Sequence, residues 1–183
     1  MTALYIILAI VAVIAVYVIA TYNGLVTLRN KVRDQLSQID VQLKRRFDLI
    51  PNLVETVKGY AKHEKETLEE VVAARNTYLA AGNTEDALKA DGELNKTLSR
   101  LFALSENYPE LKANENFINL QNELTNTEEK ISYARTFYND NVLNLNNKIE
   151  MFPSNIVANI FHFNKEKFFE AAEAERENVK VKF

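Results

Sequence analysis

Beyond the first two dozen residues, apolar side chains recur every three or four positions. Val32, Leu36, Ile39, Leu43, Phe47, Ile50, Val54, Val57 and Ala61 form one stripe, and Leu68, Val72, Arg75 and Leu79 continue it. That period belongs to a helix with one buried face, since a strand would alternate every second residue. The phase runs unbroken across Pro51. A proline inside a helix removes one hydrogen bond and crowds the preceding turn, so the spacing predicts a kink or a short junction between two collinear pieces. A fresh helix start with Pro51 in its first position fits the pattern equally well.

Ala81-Gly82-Asn83-Thr84 is the first clear turn. Thr84 is the expected cap of the next helix, with Glu85 and Asp86 in its first turn, where carboxylates favour the positive helix end. That helix is predicted through Leu88, Leu94, Leu98, Leu101 and Leu104, ending near Asn107-Tyr108-Pro109. A last long helix is predicted from about Asn114. Its stripe is Phe117, Leu120, Leu124, Thr127, Ile131, Ala134, Tyr138, Val142, Leu145, Ile149 and Phe152, and Met151-Phe152-Pro153 stops it. Helices of this length and number predict an all-α fold, an elongated antiparallel helical bundle of four-helix or coiled-coil character.

The N-terminal stretch reads differently. Residues 3–22, "ALYIILAIVAVIAVYVIATY", carry no charge. Twenty helical residues extend ~30 Å, the thickness of a bilayer's hydrocarbon core. In lipid the backbone must satisfy its own hydrogen bonds, so this segment is expected as a single transmembrane helix, with Tyr17 and Tyr22 at one interface. A cleaved signal peptide is the rival, with Val18 and Ala20 as small residues near a cleavage point. The lack of a basic leading region and the length of the apolar run favour a retained anchor. Arg29, Lys31 and Arg33 follow the span, so the N-terminus is expected outside and the bundle in the cytoplasm.

Charge sharpens this division. Between Arg29 and Arg46 lie six basic and two acidic side chains, whereas the whole chain has a net charge of −3. A basic collar beside an apolar span suits a membrane-proximal segment, and the acidic remainder argues against nucleic acid as a partner. Four glycines and three prolines are too few for the turns of an all-β fold. The absence of cysteine excludes disulfides and thiolate sites.

Candidate chemistry is sparse. His63-Glu64 opens "HEKET", but a zinc-protease helix needs a second histidine where Thr67 stands. A di-iron bundle needs glutamate three residues before each histidine, and Tyr60 and Asn159 occupy those places. Nucleophile elbows and glycine-rich phosphate loops are missing. No catalytic residue, metal ligand or cofactor is therefore predicted, and the chain is read as a non-enzyme. Lys44, Arg45 and Arg46 lie too far along a straight helix from Tyr22 to touch the same headgroups, so lipid contact would need a bend or a second membrane surface, and pairing with acidic residues of a neighbouring helix or subunit is the favoured expectation. Arg29, Lys31 and Arg33 are the better lipid contacts. In the C-terminal segment, Phe152, Ile156, Val157, Ile160, Phe161, Phe163, Phe168 and Phe169 need cover from their own bundle, another subunit or a membrane interface. Phe161, Phe168 and Phe169 are the candidate interaction anchors. Val179, Val181 and Phe183, alternating with Lys180 and Lys182, offer a strip for strand addition.

Long stretches of the chain resemble the LemA family of membrane-anchored bacterial proteins. They are "SQIDVQLKRRFDLIPNLVETVKGYAKHE" (37–64), "ARTFYNDNVLNLNNKIEMFPSNIVANIFHF" (134–163) and the closing "VKVKF" (179–183), together with "YNGLVTLRNKV" (22–32) after the span. His162 departs from the resemblance, which leads one to expect a small residue there. The resemblance implies an N-terminal transmembrane helix joined to an antiparallel bundle, and no enzyme activity. It also implies a relative that takes part in forming the magnetosome of magnetotactic bacteria. The expected organisation is an anchor over 1–24, a bundle over 25–152 and an apolar, aromatic segment over 153–183. The expected role is a scaffold or membrane-organising protein acting by self-association and partner binding. The alternative is a monomeric accessory subunit of a membrane protease or transporter. The lipid bilayer, further copies of the chain and other membrane proteins are the expected partners.

Overall fold

The computed structural model describes residues 1–169 of the chain. All six elements among them are helices: α1 (Thr2–Tyr60), α2 (Lys65–Leu79), α3 (Thr84–Ser105), α4 (Pro109–Lys112), α5 (Glu115–Glu150) and α6 (Ser154–Ile160). The described residues fall into two compact units, one of Met1–Ser37 with Arg135–Phe169 and one containing Gln38–Ala134. The "VKVKF" strip lies outside the described residues.

In the second unit, four helices and the α4 turn share one core. Ile50, Leu53 and Val57 of α1 meet Leu68 and Val71 of α2, Leu94, Leu98 and Leu101 of α3, Leu111 of α4, and Phe117 and Leu124 of α5. The stripe along α1 is the buried face, and α1 stays helical through Pro51, which removes the reading of Pro51 as a helix start. The continuation through Val72 and Leu79 is corrected. The chain leaves the helix at Ala61, turns, and restarts at Lys65. The restart resets the phase, so Leu68 and Val71 point inward while Val72 and Leu79 are exposed.

The cap of α3 is also corrected, from Thr84 to Asn83. The Asn83 side chain accepts a hydrogen bond from the Asp86 N–H, which satisfies one of the free donors at the helix start. Ala87 and Ala90 take inward positions on α3, with Leu88 only half-buried. At the start of α5, Asn114 accepts from the Phe117 N–H in the same manner. The α5 stripe is buried or half-buried from Phe117 to Ile149. Phe152 is not: it is 80% exposed, because α5 ends at Glu150 and Phe152 sits in the turn beyond it.

In the first unit, α1 is exposed over residues 2–20 and is the one candidate membrane span among the described residues. From Thr21 its side chains begin to be buried: Thr21, Leu25 and Val32 of α1, Tyr138, Val142, Leu145 and Ile149 of α5, and Val157 and Ala158 of α6. Ser154, the first residue of α6, donates to the Lys148 and Met151 carbonyls and so fastens α6 to the end of α5.

Candidate functional site

Two constellations stand out, one in each unit. In the second unit the basic triplet separates into three environments. Lys44 is exposed. Arg45 pairs with Glu123 of α5 at a half-exposed site. Arg46 is 2% exposed and sits among polar side chains of two other helices. Its Nη1 donates to both Asp91 oxygens, at 2.7 and 2.9 Å, and to Glu128; its Nη2 donates to Asn95. Asn95 Nδ2 in turn donates to Glu128 at 3.0 Å. Arg46 Nε has no partner among the described residues. A guanidinium carries a rigid set of donors that suits a convergence of acceptors, and its charge offsets the cost of holding Asp91 inside the bundle.

Aromatic residues border this hub. The Phe47 and Tyr78 rings lie 4.0 Å apart between centroids, and the Arg75 guanidinium lies 5.1 Å from the Phe47 centroid. The Tyr78 hydroxyl is pushed up to about 12, first by burial and then by the negative charges of Asp91 and Asp40. Arg46 and Asp91 are buried at the centre of the hub, and Glu128, 40% exposed, forms its edge. The hub fits an ion cluster that fixes how three helices meet, and it presents no nucleophile with a base. At the α1–α2 turn His63 is exposed, while Glu64 accepts a hydrogen bond from the Tyr108 hydroxyl at 3.0 Å.

In the first unit, the aromatic segment returns onto the end of the anchor. Tyr22 packs against Phe161 at 4.7 Å and Phe163 at 5.8 Å between ring centroids. The Arg29 guanidinium lies 5.1 Å from the Phe163 centroid. Lys31 and Arg33 are exposed on the same helix. Beyond Phe163 the chain runs without regular structure alongside α5, held by asparagine side chains. Asn146 donates to the Glu166 carbonyl and accepts from its N–H; Asn139 does the same for Phe169. Seven helical residues and three extended ones both advance roughly 10 Å, so the two clamps match in spacing. The Tyr138 hydroxyl donates to the Lys167 carbonyl, and its ring packs on Phe169 at 4.4 Å. Its pKa is raised by burial and by Glu166. Phe161 and Phe168 are each 46% exposed, and Phe169 is half-buried.

Sequence reasoning missed Asp91, Asn95 and Glu128 as partners of Arg46, and the two clamping asparagines. Asp91 carried a signal, since it lies four residues after Ala87 and three before Leu94, on the inward face of α3. Asn139 and Asn146 carried one too: they stand seven apart in "NDNVLNLNN", a run rich in a residue that helix interiors disfavour.

The chain is 25% identical to magnetosome protein MamQ 2 of Paramagnetospirillum magneticum, over 90% of this chain and 70% of that protein. It is 27% identical to protein LemA of Metamycoplasma hominis, over 86% of this chain and 72% of that one. It is 24% identical to magnetosome protein MamQ of Magnetospirillum gryphiswaldense, over 81% and 64%. The apolar helix at the N-terminus and these relatives point to a membrane location. The LemA family model matches residues 35–183, and the chain belongs to the LemA family.

Proposed function

We propose that this protein is a membrane-anchored organiser whose helical bundle works by self-association and partner binding from the cytoplasmic face. The observation that carries this reading is in the first unit. Phe137 and Phe168 are 57% and 46% exposed, one on α5 and the other on the segment that Asn139 and Asn146 pin to α5. Aromatic side chains held in place and left uncovered are the usual anchors of protein contacts. The asparagine clamps mean that little ordering remains to be done when a partner arrives. Of the residues first singled out, Phe168 stays in this role. Phe161 packs on Tyr22 and Phe169 on Tyr138, while Arg46 serves the bundle interior.

A scaffold role fits the relatives named as magnetosome proteins, and the single anchor leaves copies free to meet side by side in one plane. The test is cross-linking of the full-length protein in its own membranes. Native protein should give a ladder of multimers. Phe137→Ser with Phe168→Ser should collapse the ladder while helical circular dichroism is kept. An unchanged ladder removes these two aromatics from the contact, and a monomer in both cases moves the accessory-subunit reading ahead.

A further inference from the structure

The turn between α5 and the clamped segment is unusual in its charge. From Met151 to Asn164 the sequence "MFPSNIVANIFHFN" has no Asp, Glu, Lys or Arg. The charges that flank it, Glu150 and Lys165, form an ion pair with each other and close its base. α6 lies within this hairpin. Its inner side is covered, with Ser154, Val157 and Ala158 buried. Its open side is uncharged: Ile156 is 51% and Ile160 62% exposed, beside the exposed Asn159, and in the turn that leads into it Met151 is 63% and Phe152 80% exposed. Ile156 and Ile160 are spaced by four and so share one side of α6, and Phe152 lies in the turn just before it. A water-facing helix of a soluble protein carries charge there, and this one has none.

The place of the hairpin in the unit supplies its partner. Gly24 of α1 lies against Lys148 in the last turn of α5, 3.4 Å from a Cβ built on Gly24 to the Lys148 Nζ. The Lys148 side chain, from the last turn of α5, thus reaches the residues that follow the span, and Phe161 at the far end of the hairpin packs on Tyr22. Tyr22 ends the apolar stretch of residues 3–22, whose twenty residues match the hydrocarbon thickness, and the first charge, Arg29, follows two turns later. A bilayer that holds the anchor has its boundary at this level, where Phe161, packed on Tyr22, is still 46% exposed.

We infer that the α6 hairpin is a second membrane contact: Phe152, Ile156 and Ile160 enter the boundary between headgroups and acyl chains of the same leaflet that the anchor leaves. The inference rests on the anchor reading. A short apolar face lying in the interface binds through buried area, and the anchor removes the entropic cost of bringing it there. Arg29, with its guanidinium over Phe163, and Lys148 stand at headgroup height on the two helices beside the hairpin. The two contacts together fix the tilt of the first unit on the membrane, which a lone helix would leave free.

The chain contains no tryptophan, so single substitutions give clean fluorescent reporters. The experiment reconstitutes full-length Phe152→Trp, Ile156→Trp, Ile10→Trp and Phe137→Trp separately into phosphatidylcholine–phosphatidylglycerol vesicles whose acyl chains carry bromine at shallow or deep carbons. Ile10→Trp reports the anchor and should be quenched most by deep bromine. Phe152→Trp and Ile156→Trp should emit at shorter wavelength than exposed tryptophan and lose most intensity to shallow bromine. Phe137→Trp, more than ten residues back along α5, should be unquenched. If Ile10→Trp is quenched and the two hairpin reporters are not, the hairpin contact is overturned while the anchor stands. A hairpin reporter that emits blue without quenching is covered by protein, which also overturns the inference. If Ile10→Trp itself escapes quenching, the anchor reading fails and the hairpin contact falls with it.

Discussion

The Arg75 side chain of α2 donates from Nε to the Phe47 main-chain carbonyl of α1 at 3.4 Å. Residue 47 is four before Pro51, so this is the carbonyl that Pro51, having no N–H, leaves without its helical donor. α2 thus supplies the bond that the sequence of α1 removes, and α1 continues as one helix. The same guanidinium lies over the Phe47 ring, which adds attraction to the face of the aromatic. A proline in the middle of an unbroken helical phase is thereby accommodated by a residue 24 positions away.

A double-mutant cycle tests that arrangement. Arg75→Met should cost about 1–2 kcal/mol in the native background, for one hydrogen bond and one cation–aromatic contact. Pro51→Ala restores an N–H to the Phe47 carbonyl and should leave a folded helical protein. In that background Arg75→Met should cost less, with a coupling of about 0.5–1.5 kcal/mol by denaturant titration in detergent. Additive effects would mean that Arg75 does not serve the carbonyl.

Arg46 should be far more sensitive than its neighbours in the triplet. Arg46→Met leaves Asp91 buried without its cation, which costs about 3–5 kcal/mol. Adding Asp91→Leu should recover a large part of that loss, because the uncompensated charge is gone. Lys44→Ala, at an exposed site, should stay within about 0.5 kcal/mol of the native protein. Equal effects of Lys44 and Arg46 substitutions on thermal unfolding would contradict the buried hub.

The asparagine clamps predict protease behaviour. Lys165 and Lys167 offer trypsin sites within the clamped segment. Asn139→Ala and Asn146→Ala each remove two hydrogen bonds to main chain, about 1–2 kcal/mol net. Either change should speed cleavage at these lysines by roughly tenfold, since cleavage follows the population of the open state. Unchanged cleavage would show that the segment is held by its aromatic contacts alone.

His162 has a positive φ of 55°. That left-handed region costs a residue with a Cβ about 1 kcal/mol, which glycine escapes. His162→Gly should therefore raise the stability of the full-length protein by about 0.5–1 kcal/mol, despite the extra freedom of glycine in the unfolded chain. A lower melting temperature would mean that the imidazole makes contacts worth more than the backbone relief.

The long helices were legible because their buried faces repeat at 3.6 residues over many turns, as from Phe117 to Ile149. What the repeat could not show was where the phase is reset. The turn at Lys62-His63 looks like helix in composition, and only tertiary packing selects Val71 over Val72 as the inward residue. At 162, where the resemblance led one to expect a small residue, the backbone has the positive φ that favours glycine. The inward place of Asp91 on α3 was legible, but its pairing with Arg46 was not, because Asp91 and Glu128 lie 45 and 82 residues away and nothing local matches them to that cation. The clamps were hidden for a related reason, since an asparagine that reads main chain leaves no complementary pattern in the segment it holds.

The central claim is that the anchored bundle acts as an assembly. It is tested most directly by the mass of the full-length particle extracted from native membranes in mild detergent, measured by mass photometry or light scattering with the detergent contribution subtracted. The account predicts a discrete particle of several 21.0 kDa chains. A particle containing one chain, under extraction that leaves other membrane oligomers intact, would contradict it.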